Sequence, residues 1–336
     1  MLAIPGFVGS ALDPLVGIVA DTHRRRLLLV AGGIGFALSA TLSSVALGFA
    51  MLLVALVIGN PATGAFVSLA QATLMDLDSE QRERNMARWT LAGSFGYVGG
   101  PILVTASLWF GLGWRAVLAL LGVAAVPLTL AASRLPNVHP SDRRTLREGF
   151  AHALSSLRRR EVLRWLLLLE VSDLLIDVFH GFLALYLVDV ARFDPSAAAL
   201  GVAAWTGAGL IGDWLLLFVL RRFDGHHYLR TTAFAALAVY PTFLLVTDDG
   251  VKLVLVAALG LLNSGWYAIP KAGLYESFPG RSGAAVAVGG IGGLAAACVP
   301  LVLGFVASGV GLAATMWILL LAPVALVALV PARRRG

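Results

Sequence analysis

The chain has 336 residues, 59% hydrophobic and 13% charged, with 25 Lys and Arg against 19 Asp and Glu and a formal net charge of +6. So apolar a composition excludes a soluble domain. The positive charge does not indicate a nucleic-acid partner, because it lies in short loops between apolar runs, where membrane proteins carry Lys and Arg. The single cysteine, Cys298, excludes a disulfide framework and a cysteine metal site. The chain reads as an all-α integral membrane protein whose first partner is the lipid bilayer.

Apolar runs bounded by Gly, Pro or charge predict eleven transmembrane helices, at about 2–20, 27–47, 50–75, 87–108, 114–133, 163–188, 198–220, 229–247, 251–270, 284–308 and 311–331. The long connection at 134–162 is rich in Arg and carries an amphipathic helix predicted over Leu146 to Leu157. It divides the chain into an N-terminal bundle, 1–133, a cytoplasmic linker, 134–162, and a C-terminal bundle, 163–336. With alternating loops, every Lys and Arg except Arg115, Arg192 and Lys252 falls on one side of the membrane. That side is the cytoplasm by the positive-inside rule, which places the C-terminus inside and Met1 outside.

The helix at 163–188 carries Glu170, Asp173, Asp177 and His180. At 100° per residue these fall within an arc of roughly 80°, one stripe on an otherwise apolar helix. A carboxylate at the bilayer centre costs a few kcal/mol or more, so such groups face protein or water and mark function. The expectation is a substrate or proton site. The alternative is a set of buried acids that only tie helices together.

An internal repeat of 200 residues places Gly9 and Asp13 opposite Gly209 and Asp213, and Gln71 to Asp76 opposite Lys271 to Glu276. Asp13 and Asp213 are therefore symmetric candidates for cavity or gate acids, with interhelical hydrogen bonding as the plainer role. Asn263, Trp266, Tyr267 and Lys271 are further candidates for the cavity lining. The partner of the acidic helix falls before Met1, so the repeat leads to the expectation of one more helix ahead of the first.

Gly17, Asp21, Arg25 and Arg26, in the loop joining the first two helices, resemble the signature between the second and third helices of the major facilitator superfamily. Gly96, Gly100 and Pro101 resemble that superfamily's motif C, typical of antiporters. The resemblance implies a pseudo-symmetric pair of helical bundles around a cavity, here five helices plus six. It also implies a charge latch at Gly17, Asp21, Arg25 and Arg26, and tight helix packing at Gly96, Gly100 and Pro101. With no Walker loop, metal-ligand spacing or nucleophile constellation, no enzyme, metal or cofactor is expected. The reading is a proton-coupled exporter of a small molecule, monomeric, in a bacterial inner membrane. The alternatives are proton-coupled import, or a truncated relative that senses rather than transports.

Overall fold

The computed structural model describes residues 3–21, 25–134 and 146–331. Residues 22–24 of the first loop, the Arg-bearing stretch 135–145 and the basic tail at 333–335 lie outside the described residues. Every regular element described is helical. In chain order these are α1 (Ala3–Ala20), α2 (Arg25–Ser44), α3 (Phe49–Leu77), α4 (Arg82–Trp109), α5 (Gly113–Ser133), the linker helix α6 (Leu146–Ser156) and α7 (Arg160–Asp189). There follow α8 (Pro195–Val219), α9 (Gly225–Leu245), α10 (Asp249–Leu262), α11 (Ala268–Glu276), α12 (Ser282–Val310) and α13 (Leu312–Leu329). Eight of these are long and apolar enough to cross a membrane. The other three of the eleven expected runs fall on α1, α9 and the pair α10–α11.

Local chemistry sets the helix ends. Asp194 accepts from the amides of Ser196 and Ala197 at 2.9 and 3.0 Å and is followed by Pro195 in the first turn, a strong start for α8. The Ser196 hydroxyl and these amides hold the exposed Asp194 carboxyl below its ordinary range. Asp224 and Asp248 cap α9 and α10 in the same way, through the amides of His227 and Val251. Pro14, Pro61, Pro101, Pro127 and Pro241 lie inside helices, tolerated because neighbouring groups re-satisfy the freed carbonyls.

The 200-residue repeat is visible in the helix starts. Arg25 and Gly225, Phe49 and Asp249, and Arg82 and Ser282 open equivalent helices 200 residues apart, while Gly113 and Leu312 do so 199 apart.

The chain gathers into two units. The first holds Met1–Glu80, Gly99–Val162 and Leu274–Ala295; the second holds Gln81–Val98, Leu163–Gly273 and Ala296–Gly336. Both α4 and α12 are thus shared, each giving its N-terminal half to the unit that does not hold the rest of it. In the first unit, α2 lies between α3 and α5, with Leu29 and Leu69 packed on Ala20. Backbones approach closely there: a Cβ on Gly32 would come 2.8 Å from the Phe66 nitrogen.

The second unit is built on an aromatic cluster. Phe179 lies 4.8 Å from Trp205 and 5.6 Å from both Tyr240 and Phe243 by ring centroids, and the Tyr240 hydroxyl donates to the Met316 carbonyl at 2.7 Å. Lys252 is buried beside it. Its Nζ donates to the Phe243 carbonyl at 2.8 Å, in the last turn of α9, and lies over the Phe243 and Tyr186 rings. The expected single helix at 251–270 is instead broken between α10 and α11. Asn263, Ser264 and Gly265 carry the break, with Gly265 at φ 82°.

The packing at glycine differs along the chain. Gly260 of α10 abuts the Trp205 carbonyl of α8 so closely that a Cβ would collide with backbone. By contrast, no atom lies within 4 Å of a Cβ placed on Gly93, Gly96 or Gly100. The tight packing expected at Gly96 and Gly100 is therefore not made among the described residues, and the neighbouring Phe95, Tyr97, Pro101 and Ile102 are exposed. Gly260→Ala is expected to destabilise the protein by about 1–3 kcal/mol through overpacking. Gly93→Ala, with open space and a better helix former, should leave stability unchanged or raise it by about 1 kcal/mol. Thermal unfolding of the two variants in one detergent tests the contrast, and equal midpoints would contradict it.

Candidate functional site

The acidic stripe lies on α7 in the second unit. Its helix is not a continuous α-helix: Leu174–Val178 form a π-helical turn that includes Asp177. A π turn widens the helix by one residue and is common at functional sites. It also releases a carbonyl, and the Asn263 side-chain Nδ2 donates to that of Leu175 at 2.8 Å. The break between α10 and α11 is thereby tied to the π turn.

The stripe stays together despite the extra residue. Asp173 is within electrostatic range of Asp177, Glu170 and Lys271; Glu170 is also near Lys271, and Asp177 is near His180. Tyr97 of α4 completes the group, close to Asp177, Asp173 and Tyr267. Glu170, Asp173 and His180 are half-buried, as are Lys271 and Tyr267, while Asp177 is exposed. Lys271 Nζ lies 5.9 Å over the Tyr267 ring. The cluster thus holds three carboxylates, one ammonium, one imidazole and two phenols, with more negative than positive charge. Such a group can exchange protons and attract a cation.

Other residues singled out in the sequence sit differently. Trp266 is fully buried and its indole N–H donates to Thr232 at 3.0 Å. Asn263 is buried against α7. Asp213 is 7% exposed on α8, bonded to Ser94 of α4 at 2.5 Å. Asp13 lies in the first unit between Gly64 of α3 and Gly290 of α12.

The loop signature forms a compact charged node in the first unit. Arg25 reaches Asp76 at 2.6 Å, Ser282 at 2.8 Å and Asp21 at 3.4 Å, and donates through Nε to the Ala20 carbonyl at 3.3 Å. Asp21, just beyond α1, accepts at 2.8 Å from the amides of both Gly283 and Ala284. These belong to the unsatisfied first turn of α12, where the helix dipole favours an anion. Burial pushes the Asp21 carboxyl above its ordinary range, and Arg25 and the two amides pull it back. Gly17 allows the approach: a Cβ there would come 2.5 Å from the Ala287 nitrogen. Arg26 is exposed and takes no part. Sequence reasoning missed Asp76, Ser282 and Tyr97 as members of these sites. An acid near the end of an apolar helix, as at Asp76, was the one available signal.

Paired repeats of membrane helices, with ionisable groups gathered inside them and no metal cluster among the described residues, define a polytopic protein of the secondary-transporter kind. The sequence profile of the Major Facilitator Superfamily matches residues 1–269, and the chain belongs to that family. It is a transporter, not an enzyme. No curated protein matches the sequence at a significant level. Among solved structures, the E. coli fucose:proton symporter FucP is similar at TM-score 0.80 and 17% identity, covering 98% of this chain and 89% of its own. The human organic anion transporter MFSD10 (TETRAN) is similar at 0.73 and 20%, covering 98% and 82%. The proton:xylose symporter XylE is similar at 0.72 and 16%, covering 97% and 83%. At these identities the likeness establishes the fold.

Removing Arg25 leaves the 6%-exposed Asp76 carboxylate without its cation. Arg25→Gln is expected to cost about 3–5 kcal/mol, the range for breaking a buried pair. Ser282→Ala, which removes one neutral partner, should cost about 1 kcal/mol. Thermal unfolding in detergent measures both, and an Arg25→Gln loss no larger than that of Ser282→Ala would show the pair to be solvated.

Proposed function

We propose that this transporter moves a small molecule by alternating access in exchange for protons, and that it works as an exporter. The observation that carries the reading is the group Glu170, Asp173, Asp177, His180, Lys271, Tyr267 and Tyr97 gathered around the π turn of α7. Asp173 sits at its centre, with Glu170 and Asp177 on either side. A proton on Asp173 or Asp177 cancels charge that an apolar, closed state cannot hold. Loss of that proton toward the cytoplasm restores the negative stripe and favours a cationic or amphipathic substrate. Lys271 acts as the internal counter-ion that such a substrate displaces from Glu170 and Asp173.

In this reading α1 to α5 stand for the family's second to sixth helices and α7 to α13 for its seventh to twelfth, as bundles at 1–133 and 163–336. The Asp21–Arg25 node serves as the latch that holds one of the two access states. Charge removal at Asp21 shifts the balance between those states by about 1–3 kcal/mol, a typical conformational coupling. Labelling of stripe positions from each side of the membrane reads that shift.

A second reading, symport into the cell, draws on FucP and XylE, both proton symporters of similar fold. It uses the same residues. The protein acts as a monomer in a bacterial inner membrane in either case, with its C-terminus cytoplasmic.

The experiment is substrate-dependent proton flux in liposomes over a compound panel. Asp173→Asn and Asp177→Asn are expected to abolish coupled transport while leaving membrane insertion intact. Wild-type pH dependence in both variants would sink the coupling role. Protons moving against the substrate establish export, and protons moving with it establish symport.

A further inference from the structure

Within the second unit, α8 meets the N-terminal half of α4 through one polar contact. Ser94 Oγ lies 2.5 Å from Asp213 Oδ2 and 3.2 Å from the Thr90 carbonyl of its own helix. Both distances are hydrogen bonds, yet a serine hydroxyl has one proton. An ionised Asp213 can only accept, so it would take that proton and leave the Thr90 contact empty. A protonated Asp213 instead donates to Ser94, which donates onward to Thr90. That arrangement gives each contact a proton of its own, whereas an ionised Asp213 takes the Ser94 proton and leaves the Thr90 carbonyl with its backbone donor alone.

The surroundings agree with the hydrogen count. Asp213 is 7% exposed, and among the described residues no Lys or Arg pairs with it. Tyr228 of α9 is the titratable group that faces it. From α4 it meets Ser94, and the turn after α10 brings Ser264 against the adjacent Gly212. None of these last groups carries charge. Glu83 of α4 is taken up elsewhere, its carboxylate against Gly225 at the start of α9.

The other crossing of this kind supplies a contrast. Asp13, 200 residues before Asp213, lies on α1 against α12, and that crossing is served by a cation, Arg25, through Asp21, Asp76 and Ser282. At the α8–α4 crossing the position 200 residues after Arg25 is Gly225, which cannot supply one.

We propose that Asp213 is a proton-binding site separate from the acidic stripe, and that its protonated carboxyl clasps α4 to α8 through Ser94. The ligand is the proton itself. When it leaves, a carboxylate remains among neutral groups in an apolar setting, with one hydroxyl to share between two acceptors. Residues 81–98 then separate from α8, and water reaches the acid. This site does not depend on the coupling role of Asp173 or Asp177.

Infrared spectra of the full chain in liposomes test the proton. At pH 5 the wild type should show a protonated-carboxyl band, part of which is lost in Asp213→Asn and kept in Asp173→Asn. A band that survives unchanged in Asp213→Asn overturns the proposal. Should Asp213→Asn fail to fold, Ser94→Ala serves instead: the Asp213 band is expected to shift as its O–H loses its acceptor, and an unmoved band overturns the clasp.

Spin labels at the exposed Arg88 and Arg222, with Cys298 replaced by Ser, test the clasp. The wild-type distance should lengthen as pH is raised. Asp213→Asn, whose amide donates to Ser94 at any pH, should hold the short distance throughout. A wild-type distance that ignores pH, or an identical response in Asp213→Asn, overturns it.

Discussion

A charge carried into an apolar helix has to be answered by a group within reach, because the bilayer offers neither water nor counter-ion. The structure answers its internal charges in distinct ways, and the way chosen separates scaffold from site. Arg25 is answered by Asp76 and Asp21, which in turn take Ser282 and the free amides of α12. Lys252 is answered by a helix-end carbonyl and two aromatic faces. Both arrangements are closed: every strong donor or acceptor has a partner of opposite character. The stripe on α7 is different. Three carboxylates share one ammonium, and Asp177 remains exposed. Excess charge with access is what the proposed exchange of protons draws on.

The repeat explains why such groups recur at related places, and its divergence explains why they do different work. Equivalent residues lie 200 apart in the repeat, so Asp13 on α1 and Asp213 on α8 occupy matching positions, and each meets a helix of the other half. At α1 the crossing is tightened by glycine, with Gly17 against α12 and Gly290 against Asp13. At α8 the tight approach is instead made to α10, through Gly212 and Gly260, and among the described residues the hydrogen bond to α4 is made by Ser94. One geometry is thus furnished with the Arg25–Asp76 ion pair on one side and the Ser94–Asp213 hydrogen bond on the other.

Much of the scaffold was legible because hydrophobic length and basic loops are local quantities. The apolar runs and their charged boundaries correspond to the helices found, and the linker helix at Leu146–Ser156 falls where its amphipathic pattern lies. What could not be read is non-local. Hydropathy is blind to register, so nothing in Leu174–Val178 announced a π turn. The sharing of α4 and α12 between units depends on contacts far apart in sequence. The Gly96–Gly100 pattern shows only that a helix can be approached, and among the described residues no neighbouring helix comes within 4 Å of a Cβ placed there. The break at Asn263–Ser264–Gly265 was different. Three poor helix formers in a row signalled it, and the length of the surrounding apolar run outweighed them.

The two irregularities, on α7 and after α10, are one feature. Asn263 donates to the Leu175 carbonyl, and this fixes its amide: rotation by half a turn would set oxygen against oxygen. Its Oδ1 is therefore held where, among the described residues, it finds no donor. A buried acceptor left unpaired costs about 1–3 kcal/mol. Gly265 at φ 82° and the π turn beside it are further departures from regular helix, and each is adjacent to a member of the acidic cluster: Asp177 within the turn, Tyr267 two residues past Gly265. Departures of this kind persist when the surrounding fold holds them in place, and they gather where a protein binds or moves. Elsewhere in the C-terminal helices Trp317–Leu320 form a 3-10 turn and, among the described residues, His226 Nδ1 and Arg230 Nε are buried without a hydrogen-bond partner, while Tyr240 and Lys252 are paired. The π turn and the break at Gly265 thus both adjoin the excess charge. That adjacency sets the charged face of α7, on which the proposed function rests, beside the backbone with the greatest freedom to change.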